Sequence, residues 1–246
     1  ELPYPWLDGL YIKVREGTRV VSKAVLVAYG VNQSGEREVI GLGLAYGEMY
    51  ASWKQFLEGL LKRGLKGTQL VISDSHTGLK KAIQDTLVGT TWQRCTVHFM
   101  RNVLSAVSKT AQGFVSAALK TIFSQTNLAD AKQSLTRAVE LLEEKYPAAA
   151  EVLVEAEEDV LAYMSFPQKH WRQIHSTTPL ERLNKAIRRP TNAVGIFPTN
   201  EPAPRPIRML LVEQDDEWAV ARRYSPPESM TQLARQHEQP TGYSVS

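Results

Sequence analysis

The fold is decided by residues 4–45, which read YPWLDGLYIKVREGTRVVSKAVLVAYGVNQSGEREVIGLGLA. Apolar and polar residues alternate in residues 4–14, and aromatic and β-branched types are frequent there, which is typical of a half-buried strand. Turn-like links at residues 16–17 and 32–35 each lead into another strand-like run. Three strands joined by such short links predict an antiparallel meander.

Further along, the pattern changes between helix and strand. Residues 48–64, EMYASWKQFLEGLLKRG, carry apolar residues at helical spacing and end on Gly64, where we expect the helix to stop. A short apolar strand, TQLVISD, a helix over 78–88 and a last strand near TWQRCTV follow. The order β-β-β-α-β-α-β predicts an α/β fold with a ribonuclease-H-like mixed sheet and flanking helices. In that topology the first and fourth strands are neighbours.

The second half is predicted to be mainly helical. From about residue 98 to 163 apolar residues recur at i, i+3, i+4 and i+7. We interpret this run as an all-helical subdomain, inserted before the helix that begins near residue 178. The predicted division is residues 1–98 and 176–240 for the core, 99–175 for the insertion and 241–246 for a tail. Residues 190–206 contain five prolines and are expected to be extended, with Ile196 and Phe197 as anchors and a new helix from about residue 207.

Composition limits the class of protein. The 246 residues are 43% hydrophobic and 22% charged, with a net charge of +3, which suits a soluble domain and permits a nucleic-acid partner. Cys95 is the only cysteine, so no internal disulfide can form, and a reducing cytosol is expected. We see no apolar run of membrane-spanning length and expect no membrane partner. The chain opens without Met, and we expect a fragment with something missing upstream.

Three acidic residues stand out by their positions. Asp8 lies in the first strand pattern, Asp74 ends the fourth, and Glu181 opens a basic helix. If the first and fourth strands are neighbours, Asp8 and Asp74 lie side by side. Three such carboxylates could hold a pair of Mg²⁺ ions, and two-metal sites cut and join phosphodiester bonds.

Each acid also has a simpler interpretation. Asp8 could face solvent on the polar side of its strand. Asp74 or Ser75 could cap the next helix. Glu181 completes the capping box Thr178-Pro179-Leu180-Glu181, which needs no catalytic role.

Cys95 and His98 form a C-x-x-H pair close after the last strand. A structural zinc site wants four ligands and would have to recruit His76, His170 or His175. A cysteine nucleophile with His98 as base is a second possibility. The interpretation we favour is that the pair braces the last strand against the site, or that His98 contacts a phosphate.

Basic residues surround Trp171 and follow Glu181. We expect phosphate contacts from these segments, with Trp171 stacking on an unpaired base. The alternative is a solvated helix face with Trp171 in the core. The predicted DNA-binding residues are Lys169, Trp171, Arg172, Arg182, Asn184, Lys185, Arg188 and Arg189.

Six short motifs follow one another along the chain: WLDGLYIKVR, SDSHTGL, CTVH, TTPLERLNK, GIFP and DEWAV. In this order they resemble the catalytic domain of the Mutator-type transposases of bacterial insertion sequences. The resemblance runs from about Trp6 to about Tyr224. It implies a ribonuclease-H-like fold with a helical insertion and a DDE site in which Asp8, Asp74 and Glu181 bind Mg²⁺ or Mn²⁺, two ions in all. Cys95 and His98 correspond to the family's accessory pair, and His76 lies in a family motif.

The resemblance also implies partners and a place in the cell. The expected partners are insertion-sequence ends and target DNA, bound by a homodimer or higher assembly in the bacterial cytoplasm at the nucleoid. The chain departs from the family in three ways. The DNA-end-binding region expected before Asp8 is absent, Pro190 interrupts the basic run after Glu181, and Pro202, Pro204 and Pro206 oppose the helix expected between GIFP and DEWAV.

Three functions follow from these observations. The leading one is a DDE transposase that cuts one strand and transfers the freed 3′-hydroxyl to target DNA. The second is a ribonuclease-H-like nuclease that only hydrolyses. The third is a degenerate copy that still binds DNA and has lost catalysis.

Overall fold

A computed structural model describes residues 1–198, 205–221 and 223–238. The strands of this part of the chain are β1 (Tyr4–Glu16), β2 (Arg19–Val31), β3 (Arg37–Ala45), β4 (Leu70–Ser73), β5 (Thr91–Arg94) and β6 (Ile196–Pro198). The helices are α1 (Tyr50–Lys62), α2 (Thr77–Thr86), α3 (Thr96–Ser105), α4 (Gln112–Phe123), α5 (Leu128–Leu142), α6 (Pro147–Leu161), α7 (Trp171–Ile174), α8 (Thr178–Val194), α9 (Arg205–Val220) and α10 (Pro227–Glu238). Two 3₁₀ turns, Ala162–Ser165 and Gln168–His170, lie between α6 and α7.

The sheet is mixed and confirms the predicted α/β class. Its strand order is β3-β2-β1-β4-β5, with β6 pairing with β1 outside this path. β1, β2 and β3 form the predicted antiparallel meander, and β6 runs parallel to β1. The predicted β-β-β-α-β-α-β order is confirmed, and so is the neighbourhood of the first and fourth strands.

The chain divides into two compact units. The first comprises Glu1–Val71, Thr77–Thr90 and the described part of Leu180–Ser246. The second comprises Ile72–His76 and Thr91–Pro179. The division at residues 98, 175 and 240 that the sequence suggested stays a prediction.

In the first unit β1 is amphipathic along its distal half. Leu10, Ile12 and Val14 are buried, whereas Tyr11, Lys13 and Arg15 are exposed. Because side chains alternate between the two faces of a strand, Asp8 belongs to the face of Leu10 and Ile12. The carboxylate of Asp8 therefore points to the covered side of the sheet rather than to the exposed side.

An aromatic cluster packs around Trp6, near the start of β1 in this unit. Trp6 stacks on Tyr29, with ring centroids 5.1 Å apart, and Trp218 of α9 lies 5.4 Å from Tyr29. Arg37 lies over the ring of Trp218 at 4.7 Å. Trp218 is therefore a packing residue.

The second unit contains the predicted helical run, which becomes α3 to α6. Asn127 caps α5 by accepting a hydrogen bond from the Asp130 N–H at 2.9 Å. Pro147 occupies the first turn of α6, where a missing N–H costs little. Helices α3, α4 and α5 each carry buried apolar residues at helical spacing. Phe99, Leu119 and Leu135 are one such residue from each helix, and they contribute to this unit's core.

The prediction of an extended chain over residues 190–206 was wrong at its start. Helix α8 continues through Pro190 to Val194. Leu183, Ile187 and Thr191 share one face of this helix and are 1%, 0% and 9% exposed. Burying a Leu or Ile side chain stabilises by about 1.5–3 kcal/mol, so this face offsets the roughly 3 kcal/mol that an interior proline costs.

The rest of residues 190–206 agrees in part with the prediction from the sequence. Residues 196–198 are extended as β6, where Phe197 is buried and Ile196 is 38% exposed, so only Phe197 is an anchor. Residues 199–204, which hold Pro202 and Pro204, lie outside the described residues, as does the tail beyond residue 238. In the described part of the chain, helix α9 runs from Arg205 with Pro206 in its first turn, as predicted.

Candidate active site

The first candidate acid, Asp8, is held on both carboxylate oxygens. Its Oδ1 accepts the N–H of Gly9 at 2.8 Å. Its Oδ2 accepts a hydrogen bond from the Asn184 side-chain amide of α8. The structure therefore disfavours a solvent-facing Asp8, because its side chain is half-buried and accepts a hydrogen bond from Asn184, which is distant in sequence.

Helix α8 brings its polar stripe to this carboxylate. Leu183 and Ile187 are buried, and Asn184 lies beside them on the edge of the polar stripe. The Asn184 Oδ1 atom is buried and has no hydrogen-bond partner among the residues that the structure describes. Leaving a buried acceptor unsatisfied costs about 1–3 kcal/mol, so this atom calls for an explanation.

Glu181 occupies the first turn of the same helix, one turn before Asn184. Its side chain is half-buried. The helix begins at Thr178, so Glu181 lies in its first turn, and the capping box with Thr178 as the N-cap residue stays a prediction. A carboxylate there is favoured by the partial positive charge of the helix N-terminus, which is a structural role compatible with metal binding.

Asp74 belongs to the second unit and follows β4 directly. Its side chain is 47% exposed, and its Oδ1 accepts the N–H of Ser75 at 2.6 Å. Its Oδ2 lies 3.9 Å from His98 Nδ1. Helix α2 begins only at Thr77, so Asp74 is not the residue next to that helix and keeps a carboxylate open to solvent.

Cys95 and His98 are tied to Thr177, a residue that the sequence analysis missed. The Thr177 N–H and hydroxyl donate to the buried Cys95 Sγ at 3.3 and 3.2 Å. The hydroxyl oxygen of Thr177 also lies 3.4 Å from His98 Nδ1. The Cys95 N–H donates to the Ser73 carbonyl at 2.8 Å, which joins the ends of β4 and β5.

This arrangement explains the electrostatics of the pair. Burial pushes the Cys95 pKa upward, but hydrogen bonds with His98 and Thr177 outweigh it and leave that pKa lowered. The hydrogen bond with Cys95 raises the pKa of His98, against the effect of partial burial. A buried, hydrogen-bonded sulfur is poorly placed as a nucleophile, so the bracing interpretation is the one that the structure favours.

The zinc alternative gains no support in the second unit. Burial lowers the pKa of His170 to about 4, and it also lowers that of His175. His76 is exposed. Among the described residues, no group of three or more His, Cys, Asp and Glu side chains is arranged to hold a metal. The assembly of Asp8, Asp74 and Glu181 into one cluster therefore also stays a prediction.

Most predicted DNA-binding cations are exposed, as a phosphate contact requires. This holds for Lys169, Arg172, Lys185, Arg188 and Arg189, while the side chain of Arg182 lies outside the described part. Trp171 is half-buried, donates its indole N–H to the Phe166 carbonyl at 2.7 Å and packs edge-on against Tyr163. These contacts favour the core interpretation of Trp171. Asn184 is engaged with Asp8, and its DNA contact stays a prediction.

Comparison with known protein families shows to which family the chain belongs. The sequence model of the Mutator-family transposases matches residues 1–221. The chain belongs to the Mutator family of transposases. It is 42% identical over 231 residues to the transposase for insertion sequence element IS1081 of Mycobacterium tuberculosis, which covers 93% of this chain and 56% of that protein.

Other curated relatives agree with this assignment. The transposase for insertion sequence element IS256 in transposon Tn4001 of Staphylococcus aureus is 39% identical over 90% of this chain and 57% of its own length. The transposase for IS406 of Burkholderia multivorans is 38% identical over 91% of this chain and 58% of its own length. This Mutator-family chain thus spans little more than half the length of the relatives it matches.

Two contacts of this Mutator-family chain were missed from the sequence. The Asn184–Asp8 bond joins residues 176 positions apart, and the Thr177–Cys95 bonds join residues 82 apart. The spacing of Glu181 and Asn184 on one helical stripe was a usable signal for the first contact. Nothing in the sequence pointed to the second, because a threonine before a helix is an ordinary cap.

The described residues contain no helix long and apolar enough to cross a membrane.

Proposed function

We propose that this chain is the catalytic region of an insertion-sequence transposase that cuts and joins DNA with divalent metal ions. The observation that carries the proposal is the 42% identity to an insertion-sequence transposase over 93% of the chain. The transposition function of the relatives belongs to proteins almost twice as long. Activity, substrate and partners are accordingly proposed for this chain and not transferred to it.

We propose a ribonuclease-H-like fold as the scaffold. The strand order β3-β2-β1-β4-β5, with an antiparallel meander and β1 beside β4, supports it. That order puts the strand that carries Asp8 next to the strand that ends just before Asp74. Asp74 follows the carboxyl end of its strand, where α/β sheets place their ligands, whereas Asp8 lies within β1.

Asp8, Asp74 and Glu181 are the proposed ligands of two Mg²⁺ or Mn²⁺ ions. Their donors are carboxylate oxygens, the type that these hard cations prefer. The unpartnered, buried Asn184 Oδ1 beside Asp8 also suits a site that takes up an ion with its water. When bound, the ions would activate a water or a 3′-hydroxyl and stabilise the leaving oxygen.

The chain's own residues have distinct tasks in this proposal. Asp8 is pre-oriented by its bonds to Gly9 and Asn184, and the partly exposed Asp74 keeps a carboxylate open to a ligand. Exposed cations on α8 neutralise DNA phosphates. His98 and Cys95 brace the chain around Asp74 through Thr177.

The proposed partners are the ends of the element and target DNA, bound by a homodimer or a larger assembly at the bacterial nucleoid. Exposed arginine and lysine side chains on α7 and α8 support a polyanionic partner.

A strand-transfer assay tests the proposal. Pre-cut DNA carrying the element ends is incubated with the chain, a plasmid target and Mn²⁺, and joined products are counted. Asp74→Asn keeps the shape of the side chain and loses the charge, so it is expected to abolish joining while circular dichroism stays unchanged. Asp216→Asn, at an exposed acid of α9, is the matched control and is expected to join DNA as the wild type does.

The outcomes separate the three candidate functions. Joining of the pre-cut ends to the plasmid supports the transposase, and hydrolysis of the DNA without joined products supports a nuclease that only hydrolyses. A chain that binds DNA and neither cleaves nor joins it at any Mn²⁺ concentration is a relic. Full activity of Asp74→Asn would remove Asp74 from the mechanism.

A further inference from the structure

Asn184 forms a hydrogen bond at only one end of its side-chain amide among the described residues. Its Nδ2 donates to Asp8 Oδ2, and the other Asp8 oxygen accepts the Gly9 N–H at 2.8 Å. Its Oδ1 is buried, and no group in the described part of the chain donates to it. A side-chain amide normally satisfies both ends when it is buried, so the unused acceptor marks a place where a donor is missing.

The position of the Asn184 amide indicates which kind of group could donate a hydrogen bond to Oδ1. Asn184 follows Glu181 by three residues on α8, so both side chains project from one stripe of the helix. The amide therefore lies between a carboxylate that it holds and a carboxylate one turn away. A water bound to a cation is a strong donor and would reach such an acceptor, whereas a carboxylate offers no proton to it.

We propose that Asn184 is a positioning residue of the metal site. Its Nδ2 fixes the orientation of the Asp8 carboxylate, and its Oδ1 accepts a hydrogen bond from water carried by the ion. Groups that orient the ligands of a metal in this way control its affinity. The inference rests on the proposed function, in which Asp8 binds Mg²⁺ or Mn²⁺, and it replaces the DNA contact that the sequence suggested for Asn184.

Calorimetric titration of Mn²⁺ into the full chain, without DNA, is the first test. Asn184→Ala removes both the donor and the acceptor and is expected to weaken Mn²⁺ binding by about 10-fold or more. Thr191→Ala is the matched control, because it removes a hydrogen bond within α8, from the Thr191 hydroxyl to the Arg188 carbonyl at 2.9 Å. Wild-type affinity in Asn184→Ala would overturn the proposal.

Kinetics separate positioning from general damage to the fold. In Asn184→Ala the Mn²⁺ concentration for half-maximal cleavage is expected to rise by a similar factor, with most of the maximal rate recovered at saturating Mn²⁺. A lowered maximal rate with an unchanged Mn²⁺ requirement would contradict the positioning role.

Asn184→Asp keeps the proposal testable if the alanine variant does not fold. It retains an acceptor at Oδ1 and puts a second negative charge against Asp8, which opposes folding without metal. The expected result is a lower Tm than the wild type in EDTA and a larger rise in Tm on adding Mn²⁺. A metal-induced rise equal to that of the wild type would overturn the proposal.

Asp8→Asn distinguishes failure of this inference from failure of the proposed function. If Asp8→Asn loses Mn²⁺ binding while Asn184→Ala keeps it, Asp8 is a ligand and only the positioning role is refuted. If both variants bind Mn²⁺ as the wild type does, the metal site itself is refuted.

Discussion

The pKa of His98 depends mainly on one neighbouring side chain. The hydrogen bond with Cys95 is the largest cause of its raised pKa, and Asp74 adds a smaller effect in the same direction. Cys95→Ser removes the ionisable thiol and keeps a small polar group. The His98 pKa is therefore expected to fall toward the ordinary value of about 6.5. Histidine ring signals followed by NMR across pH would measure it, with buried His170, whose pKa is about 4, as the unaffected reference.

The same shift predicts how stability depends on pH. A histidine whose folded-state pKa is raised binds its proton more tightly when folded, so its contribution is fully present below the unfolded pKa, about 6.5. That contribution is lost as pH rises through the folded-state pKa of His98. The free energy of unfolding of the wild type minus that of His98→Asn should accordingly decline above about pH 6.5. A difference that grows with pH would contradict the sign.

Among the elements, helix α8 contains an interior proline, Pro190. The burial of Leu183 and Ile187 on the same helix offsets the cost of that proline. Pro190 has no N–H, so the carbonyl of Ala186 receives no helical bond from it. Pro190→Ala is expected to raise the free energy of unfolding by up to about 3 kcal/mol. Pro206→Ala, in the first turn of α9, is the control and should change stability little. Denaturant titration of both variants measures the two free energies of unfolding. A lower free energy of unfolding in Pro190→Ala would show that α8 requires the missing backbone hydrogen bond at Pro190.

The turn between β2 and β3 fixes the chain near Tyr224. Gly35 has a φ of 79°, and its carbonyl accepts the N–H groups of Tyr224 at 2.8 Å and Ser225 at 3.1 Å. A Cβ on Gly35 would lie 2.1 Å from the Ser225 carbonyl oxygen. Gly35→Ala should therefore destabilise the chain by more than the roughly 1–2 kcal/mol of left-handed backbone strain, and should expose residues 223–226 to protease. Gly113→Ala, where a Cβ meets no atom within 4 Å, is the control, and equal proteolysis of the two variants would refute the contact's importance.

At the scale of the whole molecule, local patterns predicted elements better than they predicted contacts. Alternation along β1 and the short links between strands predicted the meander, because it follows from local periodicity and chain connectivity. The β1–β4 neighbourhood was expected only because the order of elements matches a ribonuclease-H-like topology. Pro190 misled the prediction, since propensity describes a helix in isolation while buried Leu183 and Ile187 hold this one. The bonds of Asn184 to Asp8 and of Thr177 to Cys95 depend on how distant segments pack, which no local rule contains.

DNA binding by the chain is expected to be weak, steeply salt-dependent and nearly indifferent to sequence. Phosphate contacts carry no sequence information. Among the described side chains, the exposed cations predicted to contact DNA are Lys169, Arg172, Lys185, Arg188 and Arg189. If each neutralises one phosphate, a plot of log affinity against log salt has a slope of about −4.5, at roughly −0.9 per contact. Raising the salt from about 50 to 200 mM would then lower the affinity several-hundred-fold.

Charge-removing variants locate these contacts. The Arg188→Ser, Arg189→Ser double variant should make the slope shallower by about 2, because two phosphate contacts are lost. The control is Lys120→Ser with Arg137→Ser, which removes the same charge from exposed positions of α4 and α5 and should leave the slope unchanged. Fluorescence anisotropy with element-end and random duplexes measures both quantities. A shallow slope combined with strong preference for the element ends at physiological salt would mean that base-reading side chains lie within these 246 residues, because nonspecific phosphate binding cannot produce that preference.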